Sequence, residues 1–167
     1  MAAISSNAES KAFSDGHLRS NQILDQMAHL ELSLLAARYS STLPYAIGQA
    51  VVKYRLVPET PIEPDTPGTS PNCLAEDLAK RLAADPVTFL LEAQLFVDDS
   101  VTPIDRATER WDETASPFRT VARLEIAAQD INQDGQAAYG EALAFSPWRT
   151  LRENRPIGSI ADARRIA

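Results

Sequence analysis

Residues 142–167 read ALAFSPWRTLRENRPIGSIADARRIA. Pro147, Trp148, Pro156 and Gly158 interrupt a polar run that shows no regular period until about residue 159. A helix then begins: Ser159 suits the N-cap position, and Asp162 three residues on completes a capping box with Asp in place of Glu. Arg164 and Arg165 follow. A helix of about two turns is not stable in isolation. The segment therefore either docks on another surface or belongs to an element that continues. Its composition suits a strap laid over something else.

Working outward, the stretch before this strap holds three patterns of strand type and two or three of helix type. Residues 21–37 place Ile23, Met27, Leu30 and Leu34 on one helical face, after a polar leader over residues 1–20 that is expected to be disordered. Residues 39–48 (YSSTLPYAIG) are read as loop and turn. In residues 50–57, Val52, Tyr54 and Leu56 alternate with Lys53 and Arg55, a strand pattern that Pro58 ends. Prolines at 58, 61, 64, 67 and 71 make the following connector extended. Asn72 is placed to cap a helix to about residue 84, with Leu74, Leu78 and Leu82 as its stripe. The pairs Glu76 with Lys80 and Asp77 with Arg81 have the favourable i,i+4 order. Asp85-Pro86 stops this helix.

Residues 87–97 form the clearest strand, with Phe89, Leu91, Ala93, Leu95 and Val97 on an apolar face and a mixed face opposite. Residues 98–103 turn, and 105–111 are irregular. A third strand over 118–126 is expected to turn Phe118, Thr120, Ala122, Leu124 and Ile126 inward. A short helix near 136–143 precedes the strap. Three long strands cannot close a barrel, and exposed edges are normally covered. A missing part is therefore expected from lost sequence or from a second copy.

Composition narrows the function. At 167 residues, 44% hydrophobic and 23% charged, the chain has the make-up of one globular domain. A net charge of −7 disfavours nucleic acid and anionic membrane as partners. Arg149, Arg152, Arg155, Arg164 and Arg165 form the most basic region, and they are expected to pair with nearby acids. The single cysteine, Cys73, allows no internal disulfide. With no signal peptide or membrane-length apolar run, the cytoplasm is the expected compartment. His17 and His29 are too far apart to form a metal site by spacing. No phosphate-binding glycine loop, metal-ligand cluster or nucleophile with a neighbouring base is present, so no catalytic residue and no metal ligand is assigned. Glu92 and Glu141 are expected to pair with arginines.

The order of several short motifs resembles the haem-dependent catalase family, its small catalase-like members above all. Phe145-Ser146-Pro147, a polar loop, Arg155-Pro156-Ile157-Gly158 and an arginine-bearing helix match its tail. Tyr39 to Tyr45, Gly48 and Val52-Lys53-Tyr54 match an earlier strand. Gln94-Leu95-Phe96, then Asp105, Thr108 and Trp111, then Pro117 and Val121 to Leu124, follow in the family's order. The match covers about residues 38–167.

The resemblance implies an α+β fold, part of an antiparallel catalase-like barrel with about half its strands, flanking helices and a wrapping tail, over a partial domain at residues 21–167. It implies haem, with Phe145 and Ile160 against it. Arg164 matches the arginine that precedes the iron-binding tyrosine by four residues, which would place that tyrosine directly after Ala167. The distal histidine belongs to a part of the family fold that this sequence does not match. The implied activity is peroxide decomposition or peroxide-driven oxidation. The chain is expected to be a fragment that is inactive alone, its partners being haem and a missing N-terminal half or a second copy. The alternative is a haem-free, degenerate interaction module or dimer.

Overall fold

Two nine-residue strands carry the molecule, and prolines mark their limits. β3 (Ala50–Pro58) ends on Pro58, and β4 (Val87–Leu95) starts after Asp85-Pro86. They pair antiparallel from Val52 with Leu95 to Pro58 with Phe89, so Val52, Tyr54 and Leu56 share a face with Leu95, Ala93 and Leu91. The computed structural model describes residues 32–63, 70–106 and 108–166. The leader at 1–20 and most of the helix read at 21–37 lie outside the described residues, as do His17 and His29.

Two strands were not expected. β1 (Tyr39–Ser40) and β2 (Tyr45–Ile47) both pair with β3, Tyr39 opposite Leu56 and Tyr45 opposite Val52. At two and three residues they are too short for a period-two pattern to register. β5 (Arg119–Ile126) adds to the far side of β4, giving a five-stranded antiparallel sheet in the order β1-β3-β4-β5, with β2 also on β3. Together with α1 (Cys73–Ala84), α2 (Gln136–Ala142) and α3 (Ser159–Ile166), this is an α+β arrangement. Among the described residues the sheet does not close on itself.

Both faces of the central strands are covered, by different chemistry. On one side Leu35, Leu82 and Phe89 are buried, packed by Leu56, Ile62, Leu78, Val87, Ile126 and Ile131. Truncating such a core phenylalanine to alanine costs about 3–5 kcal/mol. Leu35 reaches this core from a turn, not from the expected helix: residues 32–37 contain no helical stretch. The buried Ser33 hydroxyl donates to Asp77 Oδ2 at 2.6 Å, and the Ala36 amide donates to Ser33 O. Fixing Ser33 and Leu35 on α1 and β4 takes precedence over helical propensity there.

On the mixed side of β4 the loop 96–118 supplies the cover. Gln94 donates to Ser116 O at 2.8 Å, Ser116 Oγ to Leu95 O at 2.6 Å, and Trp111 Nε1 to Pro103 O at 2.7 Å. Thr102 Oγ1 accepts from the Val97 amide and donates to Asp98 O. Each buried polar group here therefore has a partner, as burial requires.

Other expectations need correction. β4 ends at Leu95, and Leu95 and Val97, assigned to the apolar face, are 41% and 51% exposed. All of β5 except Ile126 is exposed. A bulge between the pairs Leu91–Ala122 and Glu92–Thr120 leaves Val121 unpaired on β4 and moves Thr120 onto the face of Glu92. Asn72 stands at the N-cap of α1 without a side-chain cap bond. Ser70 organises that terminus instead, its hydroxyl accepting from the Asn72 amide and donating to Glu76 Oε1 at 2.8 Å. Asp77 and Arg81 form the expected pair at 2.6 Å. No helix among the described residues is long and apolar enough to cross a membrane.

Candidate functional site

The strap lies along the free side of β2. The Ala46 amide donates to Arg155 O at 2.8 Å, the Gly48 amide to Glu153 O at 3.0 Å, and the Ile157 amide to Pro44 O at 2.9 Å. Tyr45 and Pro156 form an antiparallel bridge. This zipper covers the β2 side of the sheet with backbone that has no regular strand of its own. Pro156 is buried, and a proline is tolerated because an edge needs fewer donors.

At Gly158 the strap turns, with φ at +100°. A Cβ there would meet Asp105 Oδ1 at 2.8 Å and Ile104 Cγ2 at 3.0 Å, so glycine is required on both counts. Asp105 comes this close because it caps α3. Its Oδ1 accepts from the Ser159 amide at 2.6 Å and from the Ser159 hydroxyl at 2.9 Å. The expected capping box within 159–162 is replaced by a carboxylate 54 residues away in the chain. The Asp162 amide continues the helix to Gly158 O. A carboxylate at a helix N-terminus satisfies orphan donors and complements the helix dipole.

The three residues singled out for a cofactor all lie in or before this strap. Ile160 and Arg164, four apart, share a face of α3; Ile160 is half-buried and Arg164 exposed. Ala161 is 1% exposed and seats the helix. Phe145 follows α2 and projects into solvent at 89% exposure. Trp148 is half-buried beneath Arg165, whose guanidinium carbon lies 5.3 Å from the ring centroid. Its Nε1 is buried with no partner among the described residues. Arg149 and Arg155 donate to the carbonyls of Ala144 and Arg152. These arginines thus engage carbonyls and a ring, where neighbouring acids were expected.

Charges on the sheet explain the remaining candidates. Glu92 holds Arg55 at 2.5 Å, and Arg55 also lies 3.8 Å over the Phe118 ring, so Glu92 is a paired acid as expected. Glu141 is exposed on α2. Lys53 lies over Trp111 at 5.0 Å, and burial pushes its ammonium pKa down. Cys73 is free and half-buried at the start of α1. A cleft of 520 Å³ lies elsewhere, between the end of β3, the C-terminus of α1 and the start of β4, with Glu59, Ile62, Lys80, Arg81, Asp85 and Val87 among its walls.

These residues do not fit a complete haem site. Among the described residues no cluster of three or more His, Cys, Asp or Glu is placed to hold a metal. No tyrosine lies on α3. Burial raises the hydroxyl pKa of Tyr54 at the centre of the sheet.

No protein-family model and no curated protein matches the sequence. Among solved structures, the chain is similar to a fungal catalase determined at 1.9 Å, with a TM-score of 0.67 at 18% identity. The alignment covers 80% of this chain and 30% of the catalase. The fold is thus catalase-like over most of the chain, which spans 30% of the length of the catalase it matches.

Asp105 escaped the reading of residues as a functional group. Its only signal was its place in the Asp105, Thr108, Trp111 series, and its partner Ser159 is too remote in sequence to be paired by pattern.

Proposed function

We propose that this chain is one part of a haem-dependent, catalase- or peroxidase-like protein that acts on peroxide. It supplies the sheet and the proximal strap and depends on further residues for both iron-facing groups. The observation that carries the reading is the strap itself. The strap zipped to β2 leads into an arginine-bearing helix capped by Asp105, within a fold similar to a catalase over 80% of the chain. In this reading Ile160 and Phe145 contact the macrocycle, and Arg164 stabilises a proximal phenolate. Haem would supply the redox chemistry. The chain's own residues would provide apolar contact and one positive charge. A single half-buried cysteine suits a reducing compartment, in keeping with a cytoplasmic protein.

A second reading is a haem-free interaction module. It is favoured by the open edge of β5, which is exposed along nearly its whole length and has no partner strand among the described residues.

Titration of the purified chain with haemin, followed in the Soret band, separates the two. Saturable binding near one haem per chain, weakened about tenfold or more by Ile160→Asp, which sets a charge against the macrocycle, supports the haem reading. Non-saturable binding, or binding indifferent to that substitution, sinks it for this chain and leaves the interaction module.

A further inference from the structure

The two sides of the sheet are treated differently. The strap covers the β2 side through the bonds to Ala46, Gly48 and Pro44. The β5 side carries no partner among the described residues. β5 is exposed along nearly its whole length, with Val121 and Leu124 at 48% and 46%. An uncovered edge of this kind is a template for another strand.

The bulge decides which part of the edge is usable. Val121 is the extra residue, so the ladder is regular only over residues 122–126, where Ala122, Leu124 and Ile126 stand opposite Leu91, Phe89 and Val87. This face is continuous with the core built on Phe89, Val87 and Ile126. Arg123 and Glu125 point to the other face.

A two-fold antiparallel pairing of identical strands must set one residue against its own copy. Centring on Arg123 opposes two like charges, which is unfavourable. Centring on Ala122 sets Val121 against Arg123 and draws the bulge into the interface. Centring on Leu124 sets leucine against leucine, Ala122 against Ile126, and Arg123 against Glu125 twice. Every regular residue then meets a complementary one, apolar on the core side and oppositely charged on the other. Arg123 already pairs with Glu59, and its guanidinium has donors for both carboxylates.

We propose that the free edge of β5 binds the β5 of a second copy, antiparallel and centred on Leu124, extending the sheet across a two-fold axis. This interface stands whether or not haem binds, since it uses none of Phe145, Ile160 or Arg164.

The test is made on the full chain with Cys73→Ser, which removes the only thiol. Opposed residues of an antiparallel pair have Cα atoms about 4.5–5.5 Å apart, within disulfide range. Under mild oxidation Leu124→Cys is expected to give a covalent dimer. Ala122→Cys is not, because residue 122 and its copy lie about 14 Å apart in this register. Sedimentation equilibrium supplies the second arm. Arg123→Glu and Glu125→Arg each weaken self-association about tenfold, and the double variant restores it. A monomer at ~100 µM overturns the proposal, as when the edge is reserved for another segment or protein. Equal cross-linking at 122 and 124, or indifference to both charge reversals, also overturns it.

Discussion

Asp105 and Gly158 form the tightest local constraint around the strap. The carboxylate binds two donors of Ser159, and the glycine has a positive φ with no room for a side chain. Asp105→Ala should cost about 1 kcal/mol, the usual loss of a helix cap. Gly158→Ala should cost more, about 1–3 kcal/mol, because it adds left-handed strain to a collision with Asp105. The double variant should cost less than the two together, since deleting the Asp105 side chain relieves part of the clash. Denaturant midpoints of the four proteins check this, and strict additivity would remove the proposed coupling.

Asp98 gives a prediction in pH. The Ser100 hydroxyl at 2.5 Å, then the Ser100 amide, hold its carboxyl below the ordinary carboxylate range, and the Val101 amide adds to this. A depressed folded-state pKa means that the charged form is favoured on folding. The resulting stability is present above the unfolded value of 3.8 and is lost as pH falls through the folded value. Ser100→Ala removes the largest cause, so it should shrink the acid-side loss without altering the slope at neutral pH. Unfolding midpoints measured downward from neutral pH in both proteins decide the point.

Among the elements, β3 and β4 are anchored on both faces, by the Leu35, Leu82 and Phe89 cluster and by the Gln94, Ser116 and Trp111 bonds. β5 is held along one edge, and α2 buries no residue. A seven-residue helix without tertiary burial is marginal. Amide exchange in dilute solution should therefore be slowest in β3 and β4, at the global rate. It should be at least ~100-fold faster in α2. Equal protection of α2 and β4 would mean that α2 is covered by more than the described residues.

The same contrast explains which elements were legible. β3, β4 and α1 announce themselves because burial on one or both faces imposes a period on eight or more residues. β1 and β2 did not, since two or three residues carry no period and their pairing depends on β3. The turn at residues 32–37 carries a helical pattern in its sequence because Leu34 continues the stripe of Ile23, Met27 and Leu30. The inward face assigned to β5 assumed a cover that the described residues do not provide.

At the scale of the whole molecule, local pattern and turn chemistry determined the long strands, α1, the break at Asp85-Pro86 and the strap with its terminal helix. Those features depend on neighbours within a few residues, and side-chain period and backbone preference report them directly. Motif order further pointed to a catalase-like fold, and the likeness to a fungal catalase agrees with it at the level of fold. Tertiary structure alone decided that Asp105 caps α3, that the strap closes the β2 side of the sheet, that a bulge at Val121 limits the β5 edge, and that Phe145 stands in solvent. Each of these joins residues far apart in sequence, or depends on what is packed against a side chain, and neither is written in the local pattern.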